Sequence, residues 1–287
     1  MPVRLSSLVT ELESALAAGS HGLARAALLL CRVESPEFVI EPALVTLTDL
    51  GHRARALVAG TEGPVRARLA AINHLLFEVE GFRGDRERYD DVRNSLLAVV
   101  LERKRGIPIT LAVVYMTVAQ AAGVDVMGVA FPGHFLMRVP RDAGDDSGPL
   151  MLDPFDEGRE LDRVALERLL AQHAGDEVPL EPGLLLPCST RHIVVRMLNN
   201  MKRLYVGARS FAQAWHVTDL LIALDGRQSE DMRDRGLIAY HLDDFAPALL
   251  DLETYLAMDR DDDGDHDERQ QIREHVAALR RRVAGMN

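Results

Sequence analysis

Over residues 1–80 the apolar positions recur at intervals of three and four: "LSSLVTELESALAA", "HGLARAALLLCRV", "ALVTLTDLGHRARALVAG" and "VRARLAAINHLLFEV" each put them on one helical stripe. This predicts a packed helical N-terminal region. "GFRGDRERYDD" interrupts the pattern with Gly81 and Gly84 among charges and reads as a loop. Helical spacing returns in "VRNSLLAVVLERKR" and stops at Gly106 and Pro108, because glycine suits a helix end and proline disfavours helical backbone in the residue before it. "TLAVVYMTVAQAA" is apolar nearly all round, which predicts a buried helix capped by Thr110 and ended by Gly123. "DVMGVAF", "HFLMRVP" and "LMLDPF" are short apolar runs with turn residues between them, the pattern of strands.

From residue 188 the helical spacing resumes and contains a repeat. "SFAQAWHVTDLLIALD" (210–225) aligns with "DFAPALLDLETYLAMD" (244–259), pairing Phe211 with Phe245, Ala212 with Ala246, Ala214 with Ala248 and Asp225 with Asp259. The offset of 34 residues (245 − 211) is the period of tetratricopeptide helical hairpins, in which small alanines let two helices approach. So few units need a neighbouring domain to pack on. The expected division is 1–80 helical, 81–187 strand-bearing core and 188–287 helical repeats, an α+β chain.

Composition adds limits. Aromatic residues are only 5% of the chain, so aliphatic side chains must fill the interior, and the net charge of −11 argues against broad binding to nucleic acid or to an anionic membrane. The N-terminus lacks a basic segment followed by an apolar run, and the apolar stretch 111–131 is broken by Gln120 and Asp125, so neither a secretory signal nor a membrane span is expected. Two distant cysteines, Cys31 and Cys188, without metal-ligand spacing fit the reducing cytoplasm.

The chemistry-bearing residues are His134, between a strand and its continuation, and Asp153, near the end of the next strand. Adjacent strands would bring the two within hydrogen-bond reach, with the carboxylate fixing the imidazole tautomer; a buried, satisfied pair without catalysis is the commoner outcome. "DRDDDGDHDERQ" (259–270) places Asp259, Asp261, Asp263, Gly264 and Asp267 at positions of a calcium-binding EF-hand loop, but Gln270 stands where a bidentate glutamate is required and His266 where an apolar residue packs. It reads as an acidic solvated linker, with weak calcium binding as the minority alternative and no other cofactor expected.

Residues 81–139 followed by "LDPF", with "RGIPITL" and "FPGHF" as the specific signatures, resemble the bacterial family labelled regulators of sirC expression, which joins a transglutaminase-like domain to tetratricopeptide repeats. "LLPCSTRHIVVRMLNNMKRLY" resembles that family's junction into the repeats. The resemblance implies a papain-like transglutaminase core, in which a helix with the nucleophilic cysteine at its N-terminus packs on an antiparallel sheet carrying the histidine and aspartate. His134 and Asp153 match those two members, and Pro108 occupies the cysteine's position.

Proline has no nucleophilic atom, so the family's acyl transfer loses its attacking group. Thr110 is a substitute nucleophile on paper but reads first as a cap; Cys188 would have to fold back over the site, and Cys31 reads as core. Arg103 and Lys104 read as a solvated face, whereas Glu102 and Arg105 could border a vestigial cleft beside Pro108 and orient a ligand. Asn94 and Ser95 read as a cap or turn. Two readings follow: a non-catalytic protein whose degenerate cleft and repeats bind a protein partner, or a hydrolase or acyltransferase using His134 and Asp153 with Thr110, Cys188 or water as attacker.

Overall fold

The computed structural model describes residues 2–142, 148–175, 178–226, 229–258 and 266–284. The chain opens with α1 (Pro2–Ala17), α2 (Leu23–Leu29), α3 (Glu41–Ala59) and α4 (Val65–Asn73), the last running on into a π-helical turn, His74–Val79. Two-residue strands β1 (Arg83–Gly84) and β2 (Arg105–Gly106) pair in parallel and bracket a 3-10 turn, Val92–Ser95, and α5 (Leu97–Arg103). Helix α6 (Pro108–Ala121) follows, then the strands β3 (Met127–Val129), β4 (Leu136–Val139), β5 (Leu150–Asp153) and β6 (Arg159–Leu161), and α7 (Arg163–Ala174). The chain continues through α8 (Thr190–Gly207), α9 (Phe211–Asp225), α10 (Ser229–His241), α11 (Phe245–Ala257) and α12 (His266–Ala284).

Two compact units result, one of Thr10–Met197 and one of Leu198–Asn287 with Met1–Val9. The expected boundary at residue 80 therefore does not separate compact units. The reason lies in α6, whose residues Pro108–Met116, Val118 and Ala119 are buried. A helix that is apolar all round needs cover on every side, and α2, α3, α4 and α5 supply it together with β3 and β4. The expected boundary at residue 188 also shifts, to a point inside α8.

Strands β3 to β6 form one antiparallel sheet in sequence order, with Met137 opposite Leu152 and Met151 opposite Leu161. Side chains alternate between faces. Val129, Leu136, Met151 and Leu161 pack with Phe131 and with Leu166 and Leu170 of α7, so α7 covers that face. The sequence pattern identified the first three strands; β6, flanked by charges and only three residues long, carries too little apolar signal to stand out.

Arg103 and Lys104 differ from their expected place on a solvated face. Arg103 donates to Asn94 Oδ1 (3.3 Å) and Asp85 Oδ2 (3.4 Å), and Lys104 reaches Glu80 (3.1 Å) with its ammonium 4.4 Å from the Phe82 ring centre. These contacts tie the end of α5 to the 80–85 segment, and Lys104 ends α5 in a left-handed conformation, φ 58°.

In the second unit α10 packs against both α9 and α11, and α11 against α12, as the 34-residue offset between Phe211 and Phe245 requires. Ala214 and Ala248, equivalent under that offset, are both fully buried and permit the close approach, whereas Ala212 and Ala246 face solvent. Arg235 of α10 joins three helices: it donates to both carboxylate oxygens of Asp251 on α11 (2.7 and 2.8 Å) and to Asp219 on α9 (2.7 Å), over the Trp215 ring. Asp251 is 2% exposed. Arg235→Ala leaves that carboxylate buried and unpaired, and is expected to cost about 3–5 kcal/mol in urea denaturation of the repeat unit.

Candidate functional site

His134 sits in the turn joining β3 to β4, not within a continued strand. Extending the register of β4 and β5 puts Leu136 opposite Asp153, so the turn and the end of β5 meet at one edge of the sheet. There His134 Nε2 and Asp153 Oδ1 are 3.0 Å apart, with both residues buried. The same Oδ1 accepts the Phe155 N–H at 2.8 Å, and the Asp153 carbonyl accepts the Gly158 N–H. One aspartate thus orients the imidazole and stops β5 at Pro154.

Three neighbours fix the turn. Gly133 has φ +65°, and a Cβ there would fall 2.3 Å from His173 of α7, so only glycine fits. The His173 ring stacks on His134 at 6.1 Å, and Phe155 meets it edge-on at 6.2 Å. Phe155 in turn covers Gly84, where a Cβ would lie 2.5 Å from the ring, and touches Tyr89 edge-on. From α8, Arg196 Nη2 donates to the carbonyls of Phe131 (2.8 Å) and His134. Burial lowers the Arg196 pKa, against the opposing influence of Cys188 and Tyr89.

The start of α6 is closed by its own hydrogen bonds. Pro108 is its first residue, a position where the missing N–H costs nothing and the fixed φ suits the helix. Thr110 Oγ1 accepts the Ile107 N–H (3.1 Å) and directs its proton to the carbonyls of Asn94 (2.8 Å) and Ile107 (3.0 Å), fully buried. A Cβ at Gly106 would press on that hydroxyl at 2.7 Å, which gives the glycine of "RGIPIT" its reason. Asn94 belongs to the same knot, donating to the Arg88 carbonyl at 2.7 Å, and Ser95 is buried beside it.

Other residues singled out in the sequence lie elsewhere. Arg105 donates to the Gly81 carbonyl at 3.4 Å; Glu102 is exposed and acts electrostatically on Cys31. Cys188 directs its thiol to the Gly128 carbonyl at 3.3 Å. Among the described residues no three His, Cys, Asp or Glu side chains converge to hold a metal, and Asp259–Asp265 of the acidic loop lie outside the described residues. No described helix is long and apolar enough to cross a membrane. Arg196, His173 and Phe155 were not anticipated; Phe155, following the aspartate in "LDPF", and Arg196, within "LLPCSTRHIVVRMLNNMKRLY", stood inside quoted motifs, whereas His173 did not.

Residues 41–199, more than half of the chain, match the model of the transglutaminase-like superfamily. The chain belongs to this superfamily. Residues 201–283 of this transglutaminase-like protein match a tetratricopeptide repeat model. A UPF0162 protein of Xylella fastidiosa is 40% identical over 194 residues, covering 67% of this chain and 68% of that protein. A UPF0162 protein of Vibrio cholerae is 29% identical over 234 residues, covering 82% and 85%. F-box only protein 21 of Mus musculus is 30% identical over 183 residues, covering 61% of this chain and 28% of that protein. No solved structure matches the chain.

Two outcomes are expected of this geometry. Arg196→Ala removes the donor to two carbonyls, one of them on fully buried Phe131, and lowers stability by about 1–3 kcal/mol in chemical denaturation. Burial pushes the Cys31 thiol up to about 11 and also raises Cys188. At pH 7.5 both react slowly with iodoacetamide, and mass spectrometry finds half-buried Cys188 modified before Cys31.

Proposed function

We propose that this transglutaminase-like chain carries out no acyl transfer and works in the cytoplasm as a protein-binding module, its core cleft and its repeats engaging a protein partner in a regulatory role. The observation that carries this reading is Pro108 at the first position of α6, where the superfamily's mechanism needs a thiol. The neighbours of the His134 ring support it: Asp153, Phe155 and His173 orient and cover the imidazole, and none is a hydroxyl or thiol. Thr110 is spent on capping α6 and Cys188 on the Gly128 carbonyl. The tetratricopeptide match supports a protein partner, and the resemblance to regulators of sirC expression supports a regulatory role.

The alternative, a hydrolase in which Thr110, Cys188 or a water attacks, is favoured by one observation, the intact His134–Asp153 hydrogen bond of 3.0 Å. One assay separates the two. Ammonia release and amine incorporation are measured with glutamine-containing peptides for the native chain and for His134→Ala. The expected result is no turnover above the protein-free background for either; turnover by the native chain that disappears in His134→Ala overturns the binding-module reading.

A further inference from the structure

We propose that a small cavity bounded by Asp153 of β5, by β6 and by α7 binds a zwitterion, a free α-amino acid of glycine or alanine size. The cavity has a volume of about 120 Å³ and is lined by Asp153, Arg159, Leu161, Ala165, Arg168, Leu169 and Gln172. Four of these, Ala165, Arg168, Leu169 and Gln172, are spaced i, i+3, i+4 and i+7, one face of α7.

Charge selects the ligand. Asp153 is 7% exposed, and its Oδ1 takes both the His134 ring and the Phe155 N–H, which leaves Oδ2 without a hydrogen-bond partner among the described residues. Arg159 is held by Asp156 at 2.9 Å. Arg168 forms no ion pair with Asp153 and has no hydrogen bond or ion pair among the described residues. An acidic and a basic residue, Asp153 and Arg168, thus line one cavity without an ion pair between them.

A lone anion there would be opposed by Asp153 and a lone amine by Arg168, because like charges sharing one cavity repel. A zwitterion satisfies both: its carboxylate takes charge-assisted hydrogen bonds from Arg168, its ammonium donates to Asp153 Oδ2, and its Cα lies on Leu161, Ala165 and Leu169. Gln172 adds a second donor to the carboxylate. The volume suits glycine or alanine, being well below the roughly 300 Å³ at which drug-sized sites begin.

This inference shares Asp153 with the reading above and holds whether or not an amide is turned over. Isothermal titration calorimetry of the full chain with glycine and L-alanine tests it, with acetate and methylamine as single-charge probes and L-tryptophan as the size probe. Glycine and L-alanine are expected to bind, and Arg168→Gln, an exposed position whose fold is checked by circular dichroism, to weaken them about tenfold or more. Acetate, methylamine and L-tryptophan are expected to bind at least as weakly as L-alanine does to Arg168→Gln. No heat from glycine or L-alanine, equal affinity in Arg168→Gln, or acetate as tight as L-alanine overturns the inference. Ammonia release in the same samples reports separately on catalysis.

Discussion

Helix α6 is buried on nearly every side, and that constraint organises the unit around it. Eleven of its fourteen residues are buried, from Pro108 through Ala119. Burying each large aliphatic side chain contributes about 1.5–3 kcal/mol, so leaving one flank open would forfeit a large share of the unit's stability. The N-terminal helices close one side and the strands another. Enclosure also leaves the backbone at the helix entry without water: in the knot there, Thr110 Oγ1 accepts the Ile107 N–H and donates to the Asn94 and Ile107 carbonyls, and Gly106 leaves room for that hydroxyl.

That knot and the His134 turn answer different demands. At α6 the chain satisfies its own backbone, and a proline is the residue that starts such a helix at least cost. At the sheet edge, Asp153, His173 and Phe155 contact the His134 imidazole, and Arg196 holds its backbone carbonyl. Orientation of this kind is what an acid–base residue needs, but it is equally what a buried polar side chain needs to avoid an unsatisfied group. In the proposed reading the attacking atom is what is missing, because Pro108 stands in its place.

The repeats are held by a different balance. Their apolar core, Met232, Phe245, Leu252, Tyr255, Ile272 and their neighbours, is accompanied by ion pairs that reach inward, Arg235 with Asp251 and Asp219, and Lys202 with Asp231 and Asp234. Buried pairs add little net stability when intact, because desolvation offsets the attraction, yet they penalise any packing that separates them. They fix which helix faces which, where alanine-rich surfaces alone would permit sliding.

Local patterns carried much of this into the sequence. Periodicity located the helices, the all-round apolar run marked α6, short apolar runs between turn residues marked three strands, and the 34-residue offset marked the helical pairs, since each of these signals is local in the chain. The partnership of His134 with Asp153 was legible because both stand beside strands that are consecutive in the chain. Tertiary structure alone decided the rest. His173, Arg196 and Arg168 approach the site from α7 and α8, up to 62 residues from His134 in the chain, and nothing in their local sequence reports a neighbour brought near by folding. The same holds for Arg103 and Lys104: a charged run is written identically whether it faces water or a carboxylate, and only the packed neighbour distinguishes the two.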